Sequence, residues 1–211
     1  ADLFYDLPQM LRPGQVDDNA ILSSIGELPP WDETRFEVLD MLQSCPRNSG
    51  GVYLVKDHST ERHFAVKRMP LDWTQKDAIS FKEAHPAETE VPWMDMAVTR
   101  WLSLCGYENC VEYQGVFRDG DYVSFVMGFA EGGDLFSFLE AAVEPGEWPN
   151  PATEDNIRAL AVELLGAVAR LHGLGLAHRD LSLENILLQE KKAGPLCIID
   201  FGMATTARFH E

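Results

Sequence analysis

The sequence predicts an α+β fold in two parts, an antiparallel β-sheet first and a helix-rich half after it. Three observations carry that reading. Between Phe36 and Met127, short apolar runs are joined by polar turns of hairpin length. From Ile157 to Leu171, apolar residues recur at helical spacing. The pair Gly132-Gly133 separates the two patterns, where a short connection is expected. With 211 residues, 45% apolar and 24% charged, the chain has the composition of one globular domain.

Residues 1–34 carry Pro8, Pro13, Gly14, Pro29 and Pro30 among acidic residues and read as an irregular acidic leader with one short helix near Ala20 to Ile25. The domain proper is placed at 35–211: strands and one helix over 35–127, a connection at 128–134, and the helical half over 135–211. Val52 to Val55 and His63 to Lys67 flank the polar turn Asp57 to Glu61, as a hairpin would. Cys110 to Phe117 and Tyr122 to Met127 flank Asp119-Gly120, whose glycine supplies the positive φ of a tight turn. Between these hairpins, Met94, Val98, Trp101, Leu102 and Cys105 mark a helix with Pro92 in its first turn. The stretch from Asp72 to Glu90 reads as an acidic insert, surface elaboration rather than a regulatory element. Thr153 is placed to cap a second helix whose apolar face is Ile157, Leu160, Ala161, Leu164, Leu165, Val168 and Leu171, ended by Gly173 and Gly175. Ile186 to Leu188 and Leu196 to Ile199 read as short buried strands.

Several function classes are disfavoured. The most apolar helix candidate is interrupted by Glu163 and Arg170, so no membrane contact is expected. The amino terminus has no basic region leading into an apolar core. Cys45, Cys105, Cys110 and Cys197 form no CxxC pair or zinc-ligand spacing, so reduced thiols in an intracellular, cytoplasmic protein are expected. A net charge of −17 argues against binding a nucleic-acid backbone.

The chemistry concentrates in two motifs. In His178-Arg179-Asp180-Leu181-Ser182-Leu183-Glu184-Asn185, an Asp that can accept a hydroxyl proton stands five residues before an Asn. Twenty residues beyond Asp180 comes Asp200-Phe201-Gly202. Phosphoryl transfer needs a positioned acceptor hydroxyl, a held triphosphate and cations over the developing charge. The motif pair resembles the catalytic loop and metal-binding motif of eukaryotic protein kinases, and the likeness runs from about residue 36 to about 205. It implies a two-lobed protein-kinase-like fold, an antiparallel N-lobe sheet with an incomplete helical C-lobe. It also implies ATP and Mg²⁺ as cofactors and a protein hydroxyl as acceptor.

The resemblance assigns roles residue by residue. Asp180 would be the catalytic base, Asn185 and Asp200 the Mg²⁺ ligands, and His178 and Arg179 structural supports. Lys67, in Ala65-Val66-Lys67, matches the lysine that meets the α- and β-phosphates. Its carboxylate partner falls near the helix opening at Pro92; Asp95 is favoured, with Glu90 or Glu88 as alternatives. Met127 takes the gatekeeper place, while Gly128 and Ala130 would offer backbone groups to the adenine edge. Val52 and Ala65 would roof the base and Leu187 would floor it. Asp134 matches the acidic residue that reaches the ribose or a basic substrate side chain, and with Glu184 it suggests basic residues near the phosphoacceptor.

Two departures stand out. Aligning Val52 with the valine that follows the glycine-rich loop puts Cys45, Arg47 and Gly50 at the three glycine positions, so only the third survives. Ser182 stands where Ser/Thr kinases usually carry Lys, although Glu184 still favours the Ser/Thr class over the tyrosine class. These departures support the alternative of a pseudokinase, a regulatory binding module with weak nucleotide binding. A small-molecule phosphotransferase is disfavoured by Arg179. Because the sequence stops nine residues after Gly202, the resemblance implies a fragment of a longer kinase, poorly stable and little active alone.

Overall fold

A computed structural model describes residues 16–46, 49–141, 153–190 and 195–207. Its centre is a five-stranded antiparallel sheet in the order β1-β2-β3-β5-β4. The strands are β1 Phe36–Cys45, β2 Gly50–Asp57, β3 Arg62–Pro70, β4 Tyr113–Asp119 and β5 Tyr122–Gly128. Both anticipated hairpins form. In the first, the buried Asp57 accepts hydrogen bonds from Ser59 N (2.8 Å) and Oγ (2.6 Å) and pairs with Arg35 Nη2 at 2.8 Å. One carboxylate thus closes the turn and fixes the entry to β1. The second hairpin begins at Tyr113 rather than Cys110. Cys110 is drawn instead into a bridge with Ile198, and Glu112 O accepts from Gly128 N at 2.8 Å.

Register does the work of placing side chains. Val52 lies opposite Lys67, and Ala65 lies opposite Met127. Because side chains alternate across a strand, Ala65 and Lys67 share one face of β3. Val66, between them, faces the other way, into a small apolar cluster with Phe36, Val55, Phe64 and Val126. Trp31 covers that cluster and stacks on Phe36 with ring centroids 4.7 Å apart.

Helix α1 spans Asp18–Ser23, two residues earlier than expected, because Asp17 caps it by accepting from Ala20 N at 2.8 Å. This part of the leader buries Ile21 completely and packs on α4, Pro92–Leu104. Residues 29–31 then line the β4 edge through Trp31 N to Arg118 O (2.7 Å) and Arg118 N to Pro29 O (2.8 Å), which covers an otherwise open strand edge. The stretch 71–91 also folds back, as α2 Leu71–Thr74 and α3 Ala78–Ala84. Phe81 is fully buried against Trp73 and His85, and Trp93 Nε1 donates to Thr74 O at 2.7 Å.

The second half holds α5 Leu135–Ala141 and α6 Glu154–Gly173 with two short ribbons. These are β6 Leu176–Ala177 with β9 Thr205–Thr206, and β7 Ile186–Leu188 with β8 Leu196–Ile198. Thr153 caps α6 by accepting from Asn156 N at 3.3 Å. The apolar face anticipated for α6 is split: Leu160 and Leu171 are buried with Ala167, whereas Ile157, Ala161 and Leu165 are exposed. Apolar periodicity marks a face of wide arc, and here only part of that arc meets β6 and β8. Asn109 ties the halves together, donating to Leu196 O at 2.9 Å and accepting from Arg170 Nη2 at 2.5 Å. Tyr107 Oη adds a bond to Ala167 O at 2.9 Å.

Candidate active site

Lys67 ends the inward face of β3 and finds two carboxylates. Its Nζ lies 2.9 Å from Asp95 Oδ2 and 3.7 Å from Asp200 Oδ1. Asp95 sits in the first turn of α4, nearly buried at 4% exposure. Asp95, one methylene shorter than Glu, reaches the lysine directly. Of the three carboxylates considered for this contact, Asp95 makes it; Glu90 stands nearby, beside Gly202. Burial opposes the charge on Lys67, but Asp95 and Asp200 outweigh it and hold its pKa well above the ordinary lysine value. Burial pushes the Asp95 carboxyl upward, against the pull of Lys67.

The second oxygen of Asp95 accepts from Phe201 N at 3.0 Å. The same carboxylate therefore joins sheet, helix and the Asp200-Phe201-Gly202 turn. Val91 N donates to Gly202 O at 2.8 Å, and a Cβ on Gly202 would come within 2.7 Å of Glu90 Cγ, so any larger residue there would have to displace the Glu90 side chain.

The catalytic-loop motif is built from the other side. His178 is 2% exposed and packs on Phe201 with centroids 4.9 Å apart. Its Nδ1 accepts from Asp180 N at 3.2 Å, so Nε2 carries the proton and donates to Ile199 O at 2.9 Å. Asp180 itself is exposed. Asn185 Nδ2 donates to Asp180 O at 2.9 Å, which closes the loop and leaves the amide oxygen of Asn185 as its remaining polar group. The β7–β8 pairing then sets the neighbours: Ile199 N donates to Asn185 O at 3.0 Å, so Asp200 follows one residue past the Asn185 rung.

Two non-glycine residues of these motifs hold positive φ, Arg179 at 73° and Asp200 at 62°. Such backbone costs on the order of 1–3 kcal/mol each and persists only where surrounding bonds fix it. Asp200 Oδ1 is buried and, among the described residues, accepts no hydrogen bond, with the Lys67 ammonium 3.7 Å away. A buried carboxylate oxygen in that state is costly unless another cation meets it. Among the described residues, no group of three His, Cys, Asp or Glu forms a metal cage. A site with one or two protein oxygens, completed by phosphate and water, is what Mg²⁺ favours, so Asp200 and Asn185 fit that ion.

The remaining candidates line the space between. Met127 ends β5 beside Ala65, and Gly128 pairs with Phe64 while its N–H is committed to Glu112 O. Ala130 is buried, and among the described residues no group accepts from its N–H. Leu187 bridges to Asp134. Asp134 caps α5, its two oxygens accepting from Ser137 N and Oγ, both at 2.8 Å, a local duty that spacing alone did not expose. Gly132 passes so close to β7 that a Cβ would meet Leu188 Cβ at 2.6 Å. Gly50 and Val52 lie at the start of β2, beside Cys45 at the end of β1; Arg47 falls outside the described residues. Glu184 is exposed on the loop carrying Asp180.

The protein kinase domain family matches residues 48–211. Calcium-dependent protein kinase 26 of Arabidopsis thaliana is 31% identical over 156 residues, covering 74% of this chain and 28% of that protein. The serine/threonine-protein kinase akt-1 of Caenorhabditis elegans is 29% identical over 192 residues, 89% of this chain and 32% of its own length. The cAMP-dependent protein kinase type 3 of Saccharomyces cerevisiae is 30% identical over 155 residues, 74% and 34% respectively. The chain spans about a third, or less, of the length of these relatives. No described helix is long and apolar enough to cross a membrane. The match covers most of the chain, and by it the chain belongs to the protein kinase domain family.

Proposed function

We propose that this chain forms the nucleotide-binding and catalytic-loop part of a Ser/Thr protein kinase, which transfers the γ-phosphoryl group of Mg-ATP to a protein hydroxyl. The observation that carries the reading is the convergence of Lys67 from the sheet with Asp95 from α4 and Asp200 from the turn after β8. Lys67 is suited to meeting the α- and β-phosphates while Asp95 keeps it charged and aimed. Asp180, exposed at the loop's edge, orients the acceptor hydroxyl and takes its proton. Val52, Ala65 and Leu187 enclose the base, Met127 lies behind it, and Gly128 O with Ala130 N–H meets its polar edge. Gly50 brings backbone near the phosphates. Mg²⁺ on Asp200 and Asn185 would neutralise the charge that develops on the transferring group.

The exposed carboxylate of Glu184 supports a preference for basic residues near the phosphoacceptor. Asp134 contributes less to that preference, since Ser137 already occupies both its oxygens. Loss of discrimination against acidic peptides in a Glu184→Gln variant is expected on a peptide array; an array with no basic enrichment in the wild type removes the idea.

The deciding experiment uses the full-length protein and measures Mg-dependent phosphate transfer from ATP to peptide. Asp180→Asn is expected to lower kcat by on the order of 10²–10⁴-fold, and Asp200→Asn to abolish the Mg-dependent transfer. A specific observation favours a second reading: Cys45 and Arg47 replace two loop glycines, and Ser182 replaces the loop lysine. If wild type and both variants share one background rate, the chain is a nucleotide-weak binding module instead.

A further inference from the structure

Asp18 lies in the leader, outside the stretch that matches the family. It nevertheless reaches the backbone just past the Asp200 motif. Its Oδ1 accepts from Thr206 N at 2.7 Å, and its Oδ2 accepts from Thr205 Oγ1 at 3.0 Å. Those residues form β9, which pairs with β6, and β6 runs directly into His178. Three residues beyond Asp18, the fully buried Ile21 enters the same apolar cluster as the α4 residues Met94 and Val98. The far end of the segment is fixed as well, where residues 29–31 bond to Arg118 on β4.

We propose that residues 17–31 act as a strap and that Asp18 is a positioning residue for the phosphate-holding corner. The strap grips three parts that must agree for phosphoryl transfer: the strand after the Asp200 motif, the helix carrying Asp95, and the sheet edge. The coupling has a continuous physical route. Asp18 holds Thr205 and Thr206, and four residues earlier Phe201 N and Gly202 O bond to Asp95 and Val91 at the start of α4. Ile21 presses the same helix from outside, against the pull of Lys67 within. A single side chain far from the cleft thus helps decide whether Lys67, Asp95 and Asp200 stand in contact. A carboxylate here satisfies a backbone N–H and a hydroxyl at once, which alanine cannot do.

The catalytic part of this inference rests on the kinase reading, whereas the structural coupling does not, so two readouts separate them. The first is hydrogen exchange in the full-length protein without nucleotide. Asp18→Ala is expected to speed exchange at Thr206 N and also at Phe201 N and Val91 N, two amides it does not touch. Asp18→Asn keeps an acceptor for Thr206 N and a partner for Thr205 Oγ1, and should restore wild-type protection. Unchanged exchange at Phe201 and Val91 in Asp18→Ala overturns the strap, whatever the activity. The second readout is kinetic. Asp18→Ala is expected to lower kcat by about 2- to 30-fold with peptide KM unchanged, and Thr205→Val to add little on top because the contact it removes is already lost with Asp18. Additive losses, or a lowered melting temperature with kcat intact, also overturn it. A wild type without ATP turnover or nucleotide binding sinks the kinase reading, while exchange still decides the strap.

Discussion

Helices α4 and α6 are both amphipathic by sequence, yet the fold uses them in different ways. Ten of the thirteen residues of α4 are buried, including the polar Asp95 and Thr99. Only three of the twenty residues of α6 are. The strap presses α4 from outside, the sheet holds it from within, and α2 and α3 abut its start. By contrast, α6 meets the fold along one narrow line near β6 and β8. Enclosure on several sides is what allows a charged group to sit in α4 with defined geometry, because neighbours supply each carboxylate oxygen of Asp95 with a donor. A helix packed along one line is suited to support and leaves its opposite face to solvent.

That contrast can be broken by substitution. Trp101→Ala in α4, at a fully buried site, is expected to cost about 3–5 kcal/mol in chemical denaturation. Asp95→Ala should fall in the same range, about 3–5 kcal/mol, because it strands a buried ammonium and the Phe201 N–H. A loss for Asp95→Ala no larger than for an exposed residue would mean the corner is not held as described. Leu171→Ala, on the buried line of α6, is expected to cost about 2–5 kcal/mol. Leu165→Ala lies six residues earlier at 70% exposure and should change stability by no more than about 0.5 kcal/mol. Similar losses at Leu165 and Leu171 would show that α6 is enclosed after all.

Between these extremes stands the acid response of the first hairpin. Hydrogen bonding from the Arg35 guanidinium, helped by Ser59 against the cost of burial, holds the Asp57 carboxyl well below the usual carboxylate range. In the pH window between that lowered value and the ordinary one, the unfolded chain binds the proton and the folded chain does not. Stability from this group is therefore complete above about pH 4 and is lost as pH falls through the folded value. Asp57→Asn should lower neutral-pH stability by about 1.5–3 kcal/mol and flatten the acid limb of a stability-versus-pH curve. An unchanged acid limb would assign the acid sensitivity elsewhere.

Local chemistry made much of the fold legible. The Asp119-Gly120 turn, Pro92 at a helix start and the Thr153 cap each act over a few residues, and each stands close to where it was expected. Helix α5 was not anticipated because its signal is a single capping Asp134 followed by a short, ordinary apolar run. Strands β6 and β9 have two residues each, too few to carry a period. In the candidate site, residue types at motif spacing named Lys67, Asp180, Asn185 and Asp200, but the lysine's partner stayed open among Asp95, Glu90 and Glu88. Charge and spacing are alike for all three; helix phase and the seating of α4 on the sheet are not.

What the sequence determined by itself was thus the order of the elements and the chemistry on offer, since turns, caps and periodicity depend on neighbours along the chain. Only the tertiary structure decided which carboxylate meets Lys67, which arc of α6 is covered, and that Asp18 reaches Thr205 and Thr206 across nearly the whole chain. Contacts between residues far apart in sequence are fixed by packing and register, and no local pattern encodes them.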